Sequence, residues 1–397
     1  MRFLLAKVKL YERTNQPYND EKKQAFEGFD FLRAFFSLAI VAYKTKVFYI
    51  PETLVVGSLS YALSAYILSG MLGALAVPVF LQVSLFLFYG KSQEVGLRYF
   101  IQKRLPRLLL LYLFWVGSIT AFDIVFVDGL EGLKRTTSSP KFFLEFIVSG
   151  NSTPYFFFFS LIFVTIVAEC LILLFRKIGK SSVKQRISYS LLFVSLLFLV
   201  ACSTIGSIIT YTGIQPPVFK ILSSIASWDY TPLNFLPYVF TAAIVSQEYN
   251  QGKLDRLTSQ LKLKLVGLLF LTLLFFALEW IFTSNKLLIQ VDQAPLDHYL
   301  RVSLVFGSWL LLYLALMTKW SVPKVVKFIS RCSLGLYGFH VFFTFKRPLN
   351  FDSLPLLGGF FQVFPVLETI TVFLTVLAGS IALTLIFKKV KYLRDFV

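Results

Sequence analysis

The chain has 397 residues, of which 56% are hydrophobic and only 15% charged, with a mean hydropathy of +0.71 and a formal net charge of +18. Soluble globular proteins carry about 25% charged residues, so the composition excludes a water-soluble fold and points to an all-α polytopic membrane protein. The basic residues sit in short clusters between apolar runs, the pattern of positive-inside topology, and this excludes nucleic acid as a partner.

An N-terminal arm, 1–28, carries Arg2, Lys7, Lys9, Arg13, Lys22 and Lys23 and lacks the apolar core and cleavage site of a signal peptide. The first span, 29–49, opens on Asp30 and Arg33 and carries Lys44 near its far end. Arg33 and Lys44 are eleven residues apart, about three helical turns, which places both on one stripe about 16 Å apart. Residues 50–71, with Pro51 and several Ser and Gly, read as an outside loop with room for a partly inserted helix. A second span, 72–90, leads to a basic loop with Lys91, Arg98, Lys103, Arg104 and Arg107, and a third runs over 108–127.

A polar outside loop with Asp128, Glu131, Lys134, Arg135 and Lys141 precedes a Phe-rich fourth span, 154–175. Arg176, Lys177, Lys180, Lys184 and Arg186 lead into the fifth, 188–210, and an outside loop with Trp228, Asp229 and Tyr230 follows it. The sixth span, 232–248, is joined through Lys253, Arg256, Lys262 and Lys264 to the seventh, 265–283, and the eighth covers 298–317. Lys319, Lys324, Lys327 and Arg331 precede the ninth, 328–345, and the tenth, 362–387, ends on Lys388, Lys389, Lys391 and Arg394. Spans of about 20 residues fit a hydrocarbon core of about 30 Å. The layout is about ten transmembrane helices with both termini cytoplasmic: an arm at 1–28, one transmembrane domain at 29–390 and a tail at 391–397.

Three groups could carry chemistry. Intramembrane cations such as Arg33 and Lys44 usually face a protein interior or a watery path. They also suit a simple anchor, with Asp30 pairing to Arg33 and Lys44 snorkelling to the surface. Lys103, Arg104 and Arg107 could grip phosphate groups through forked hydrogen bonds, or flank lipid headgroups. His340, about twelve residues into the ninth span, suits proton handling or a substrate contact, or a hydrogen bond between helices. His298 reads as interfacial, and Gln82 and Glu169 as polar groups that could face a cavity. Cys170, Cys202 and Cys332 lack metal spacing and read as buried fillers.

Together these segments resemble the acyltransferase 3 family of bacterial membrane proteins, above all its polysaccharide-modifying members. Asp30-Phe31-Leu32-Arg33-Ala34 resembles the family's Asp-Gly-Leu-Arg-Ala opening, and Val77-Pro78-Val79-Phe80-Leu81-Gln82-Val83-Ser84 its second helix. Lys103-Arg104-Leu105-Pro106-Arg107 with Tyr112-Leu113-Phe114-Trp115 is similar to its basic loop and third helix, and Ser333-Leu334-Gly335-Leu336-Tyr337-Gly338-Phe339-His340 to its late Ser-x-x-x-Tyr-x-x-His segment.

The resemblance implies transfer of an acetyl or other short acyl group, such as succinyl, from cytoplasmic acyl-coenzyme A, acetyl-coenzyme A first among donors. The acceptor would be a hydroxyl of an extracytoplasmic polysaccharide or exopolysaccharide. It implies a multi-pass protein of the bacterial inner membrane with no metal, working among membrane lipids and other polysaccharide-synthesis proteins. Arg104 and Arg107 would hold coenzyme A phosphates, with Lys103 beside them, and Arg33 would line the path. The family's histidine, eleven residues after that arginine, is Lys44 here. An ordinary lysine is a poor base at neutral pH. Three outcomes stay open: burial makes Lys44 a base or acyl acceptor, His340 supplies the base, or the chain binds without transferring. The rival function is a non-enzymatic export or assembly component of the same fold.

Overall fold

The computed structural model describes residues 18–47, 72–127, 129–212, 230–283, 299–345, 361 and 363–397. The expectations for 50–71, for most of the loop after the fifth span and for His298 lie outside the described residues. Among those residues the fold is helical and contains no strand. An apolar chain in lipid must satisfy every backbone polar group within its own segment, and a helix does so.

The helices are α1 (Tyr18–Lys44), α2 (Ala74–Val95), α3 (Leu97–Phe126), α4 (Leu130–Thr137), α5 (Pro140–Ser149) and α6 (Phe156–Arg176). They continue with α7 (Ser181–Thr212), α8 (Leu236–Asn250), α9 (Ser259–Thr283), α10 (Val302–Met317), α11 (Lys324–Thr344) and α12 (Pro365–Lys389). Each expected span falls on one of these. Six of them, α2, α3, α6, α7, α9 and α12, are long and apolar enough to cross a membrane by length and composition. The helices α8 and α10 are shorter, at 15 and 16 residues. The helices α1 and α11 bring charged residues into their first turns.

Two stretches expected to be loops are helical. The basic connection after the second span is helix from Leu97 onward, broken from α2 only at Gly96, whose φ is 92°. Within it, Phe100–Arg104 is a π-helical turn, closed by Leu105 N donating to Phe100 O. Charged residues do not oppose helix formation, so a basic cluster is a weak loop signal. The polar segment after the third span holds α4 and α5. Ser139 caps α5 by accepting from Phe142 N, Pro140 opens it, and Gly150 ends it at φ 60°.

The helices share two distinct ends. At the basic end, Arg176 donates to Ser92 O, Gln251 to Ser181, Asn250 to Gln93 and Lys388 to Arg331 O. Lys327 pairs with Glu27 at 2.8 Å, and Ser330 donates to Asp30 at 2.5 Å, which clasps α1 to α11. At the opposite end, Tyr112 donates to Ile147 O, Asn151 to Asp123, and Tyr337 to Pro154 O. The tail returns to the bundle, stacking Phe396 on Phe114 of α3 with ring centroids 4.2 Å apart.

The helix α1 is interior. It packs most extensively on α11, and also on α10 and α2. Phe29, Phe36, Ile40 and Val41 are buried, whereas Phe35 is exposed on the other face. Gly28 allows this closeness, because a Cβ there would collide with the backbone carbonyl of Ala315 on α10. A ring plays the same part for α11: a Cβ on Gly338 would enter the buried Trp115 ring. Much of α9 and α12 is exposed apolar surface, as suits helices that face lipid.

Candidate active site

The far end of α1 opens on a cavity of about 260 Å³. Lys44, in the last turn, is half-buried and lines it together with Tyr43, Tyr230, Tyr299 and Phe345. Thr45 closes the helix by donating to Val41 O at 2.9 Å. The Lys44 ammonium lies over two ring faces, 5.1 Å from the centroid of Tyr43 and 5.5 Å from that of Phe345. Such cation–π contacts orient a lysine without neutralising it.

The turn after α5 forms another wall. Gly150, Asn151 and Ser152 follow one another in the left-handed region, at φ 60°, 63° and 54°. Two non-glycine residues in succession there carry a conformational cost, and such outliers gather at functional sites. The surroundings hold the turn: Asn151 donates to Asp123 at 2.8 Å, Ser152 N to Ser149 Oγ at 2.9 Å, and Thr153 to Gly150 O at 2.5 Å. Tyr337 of α11 donates to Pro154 O, and Tyr155 donates to Gly338 O at 2.7 Å. Ser152, Thr153 and Pro154 thereby face the cavity.

His340 is fully buried on α11, between Tyr337, which grips this wall, and Phe345, which touches Lys44. Its Nδ1 lies 3.0 Å from Leu336 O. A carbonyl only accepts, so Nδ1 carries the proton, and in the neutral ring Nε2 holds the lone pair. Nε2 is buried with no hydrogen-bond partner among the described residues. The Lys44 ammonium reaches the Phe345 ring, at the end of α11 just beyond His340. Lys44 and the His340 segment of α11 thus lie at the same end of the bundle, with His340 behind the cavity lining rather than in it.

The remaining expected residues lie toward the basic end. Arg33 is half-buried on the Lys44 stripe, and its carbonyl accepts from Ser37 at 2.6 Å. The expected Asp30–Arg33 ion pair does not form among the described residues, because Asp30 is held by Ser330 on α11. The three cations of the basic connection are split. Arg104 turns inward, donating to Ser84 at 2.5 Å and lying 5.9 Å from the Phe88 ring, and its buried Nε has no hydrogen-bond partner among the described residues. Lys103 and Arg107 are exposed. This arrangement offers one inward-held guanidinium and two exposed cations to an anionic ligand.

Gln82 and Glu169 do not line the cavity. Gln82 donates to Thr241 at 2.6 Å, and Glu169 accepts from Ser92 at 2.6 Å, so both join helices in the interior. Among the described residues, no group of three or more His, Cys, Asp or Glu side chains could hold a metal ion.

The family model described as an acyltransferase domain matches residues 26–388. The chain belongs to the acyltransferase 3 family. No curated protein and no solved structure gives a match. The family assigns a membrane acyltransferase kind of function, and the match covers both Arg104 and the Lys44–His340 neighbourhood.

Two buried charge centres of this acyltransferase were not foreseen. Arg301, fully buried, donates from Nε to Glu279 at 3.1 Å, and Glu279 also accepts from Ser303 N at 2.9 Å and Ser303 Oγ at 2.6 Å. This pair fixes the start of α10, next to the cavity residue Tyr299. Nearer the basic end, Glu248 accepts from Lys264 at 2.7 Å and Tyr313 at 2.5 Å, while Tyr189, Trp309 and Tyr313 surround the Lys264 ammonium. Intramembrane glutamates are rare enough that Glu248 and Glu279 were a legible signal, since such groups pair inside the bundle.

Proposed function

We propose that this acyltransferase moves an acetyl or another short acyl group, such as succinyl, from acyl-coenzyme A to a hydroxyl of a polysaccharide. The basic end, with Arg104, would face the cytoplasm of a bacterial cell and receive the donor. The cavity at the opposite end would receive the acceptor outside the inner membrane. The observation that carries this reading is the cavity lined by Lys44 at the end of α1, with the His340 segment of α11 joined to it through Phe345.

In this reading Arg104 holds donor phosphates, aided by Lys103 and Arg107, and Arg33 lines the route of the acyl arm. His340 Nε2 takes the proton of the acceptor hydroxyl, because it is a ring nitrogen with a lone pair and has no hydrogen-bond partner among the described residues. The oxygen attacks the thioester carbonyl, the C–S bond breaks, and the coenzyme thiolate leaves with the proton returned from His340. Lys44 positions the acceptor and offsets negative charge at the carbonyl oxygen.

The test is the ester content of surface polysaccharide in cells carrying wild type, Arg104→Ala or no gene. Removing a charged phosphate contact costs about 1.5–3 kcal/mol, roughly a tenfold to hundredfold weaker use of donor. Ester content is expected to fall sharply in Arg104→Ala and to vanish without the gene. An unchanged ester content in the deletion would contradict transfer and favour saccharide export instead.

A further inference from the structure

We propose that Tyr337 is a positioning residue of this site: its hydroxyl bond to Pro154 and its ring beside His340 hold the cavity wall and the imidazole in one fixed arrangement, and Tyr155 closes the clasp from the opposite side. The inference rests on the acyltransferase reading and adds to it the device that aligns acceptor and base.

Tyr337 and His340 are three residues apart on α11, which makes them neighbours on one helix face. Their ring centroids lie 5.8 Å apart. The imidazole is tethered to its own helix through Leu336 O, and the Tyr337 ring flanks it. That ring is buried and packs edge-on against Phe157 and Phe158, with centroids 5.1 Å and 5.7 Å away. Its hydroxyl donates out of this apolar setting to Pro154 O, and Pro154 lines the cavity. One side chain thus touches both the proposed base and the wall against which the acceptor would sit.

A second bond answers the first and runs the other way. Tyr155, the residue after Pro154, is fully buried and donates to the carbonyl of Gly338, the residue after Tyr337, at 2.7 Å. A buried tyrosine hydroxyl is costly unless it finds an acceptor, and here each finds it on the backbone of the other's element. Two rigid rings therefore set the spacing between α11 and the turn at residues 150–154. Trp115 removes the remaining slack: its ring lies 5.7 Å from that of Tyr155 and fills the place where a Gly338 Cβ would be.

The clasp sits where a defined geometry is hardest to keep. Asn151 and Ser152, immediately ahead of Thr153 and Pro154, hold left-handed φ angles, and such a segment persists where its surroundings over-determine it. The ring contacts of Tyr337 do not depend on its hydroxyl, and Pro154 O also accepts from Phe157 N at 3.2 Å. A phenylalanine at 337 would thus keep the packing and leave no orphaned carbonyl on Pro154. What it would lose is the link between wall and imidazole, and a misplacement of about 1 Å at a reacting centre costs up to about 10²-fold in rate.

The experiment uses full-length protein in nanodiscs, acetyl-coenzyme A as donor and surface polysaccharide stripped of its esters as acceptor. Turnover, the KM of each substrate, acetyl-coenzyme A binding and thermal unfolding are measured for wild type, Tyr337→Phe, Tyr155→Phe and the double variant. Tyr337→Phe is expected to lower kcat about tenfold to hundredfold, with acetyl-coenzyme A binding and the unfolding midpoint close to wild type. Tyr155→Phe should lower kcat in the same way. The double variant should be no worse than the more damaged single variant, because either loss already opens the clasp. Should Tyr337→Phe fail to fold, Tyr155→Phe carries the same test. A wild-type kcat in the folded single variants, a loss of acetyl-coenzyme A binding that matches the loss of kcat, or losses that multiply in the double variant would overturn the positioning role alone. No transfer by wild type would overturn the acyltransferase reading, and this role with it.

Discussion

His340→Gln is expected to lower the turnover of acyl transfer by about 10²–10⁴-fold, the usual contribution of a general base, while leaving donor binding intact. Glutamine keeps a donor for Leu336 O and nearly fills the volume of the ring, but its amide cannot accept a proton. The expectation follows from the orphaned Nε2: a buried ring nitrogen with no partner among the described residues costs stability unless it has work to do. It also follows from the neighbours, since Tyr337 and Phe345 tie this segment of α11 to two walls of the cavity. The check is a steady-state comparison of purified wild type and His340→Gln, with coenzyme A binding measured separately. A variant with near wild-type turnover would return the proton transfer to Lys44 or to water.

Arg301→Leu is expected to be the most damaging substitution for stability, at about 3–5 kcal/mol, because it takes the buried guanidinium away from the buried Glu279 carboxylate. Glu279 would keep its two hydrogen bonds from Ser303, which limits the loss but cannot replace a counter-charge. The double variant Glu279→Leu with Arg301→Leu should regain much of that loss, since two apolar side chains leave no buried charge. Thermal unfolding in nanodiscs measures both. Because the pair anchors the start of α10 beside Tyr299, Arg301→Leu should also weaken acceptor use more than donor use.

The helices were legible in the sequence because most are apolar windows of about the right length: the ten expected spans coincide with helices, six of them long and apolar enough to cross a membrane. The alignment of Arg33 and Lys44 was legible because α1 runs without a break from Tyr18 to Lys44. The basic connection was misread because its charges were taken to interrupt the helix. Only Gly96 does so, and the π-turn then directs Arg104 inward onto Ser84. The helix α5 carried readable caps in Ser139, Pro140 and Gly150, yet its polar context outweighed them.

The cavity itself was not legible. Its wall joins the end of α1, the turn after α5, the start of α6, Tyr230, Tyr299 and Phe345, which are far apart in sequence. Nor could spacing foretell that Ser330 rather than Arg33 would engage Asp30, since that contact spans 300 positions. Local periodicity specifies which way a side chain points on its own helix, whereas the partner it meets depends on how the helices pack.

The central claim is that acyl groups enter at the Arg104 end and leave at the Lys44 end. The most direct test reconstitutes the protein into sealed vesicles in one known orientation, with polysaccharide inside, on the Lys44 face, and labelled acetyl-coenzyme A outside, on the Arg104 face. The account predicts labelled, hydroxylamine-sensitive ester on the enclosed polysaccharide, and none when donor and acceptor exchange sides. Label appearing only on polysaccharide supplied on the donor's own face, or no labelled ester in either arrangement, would contradict it.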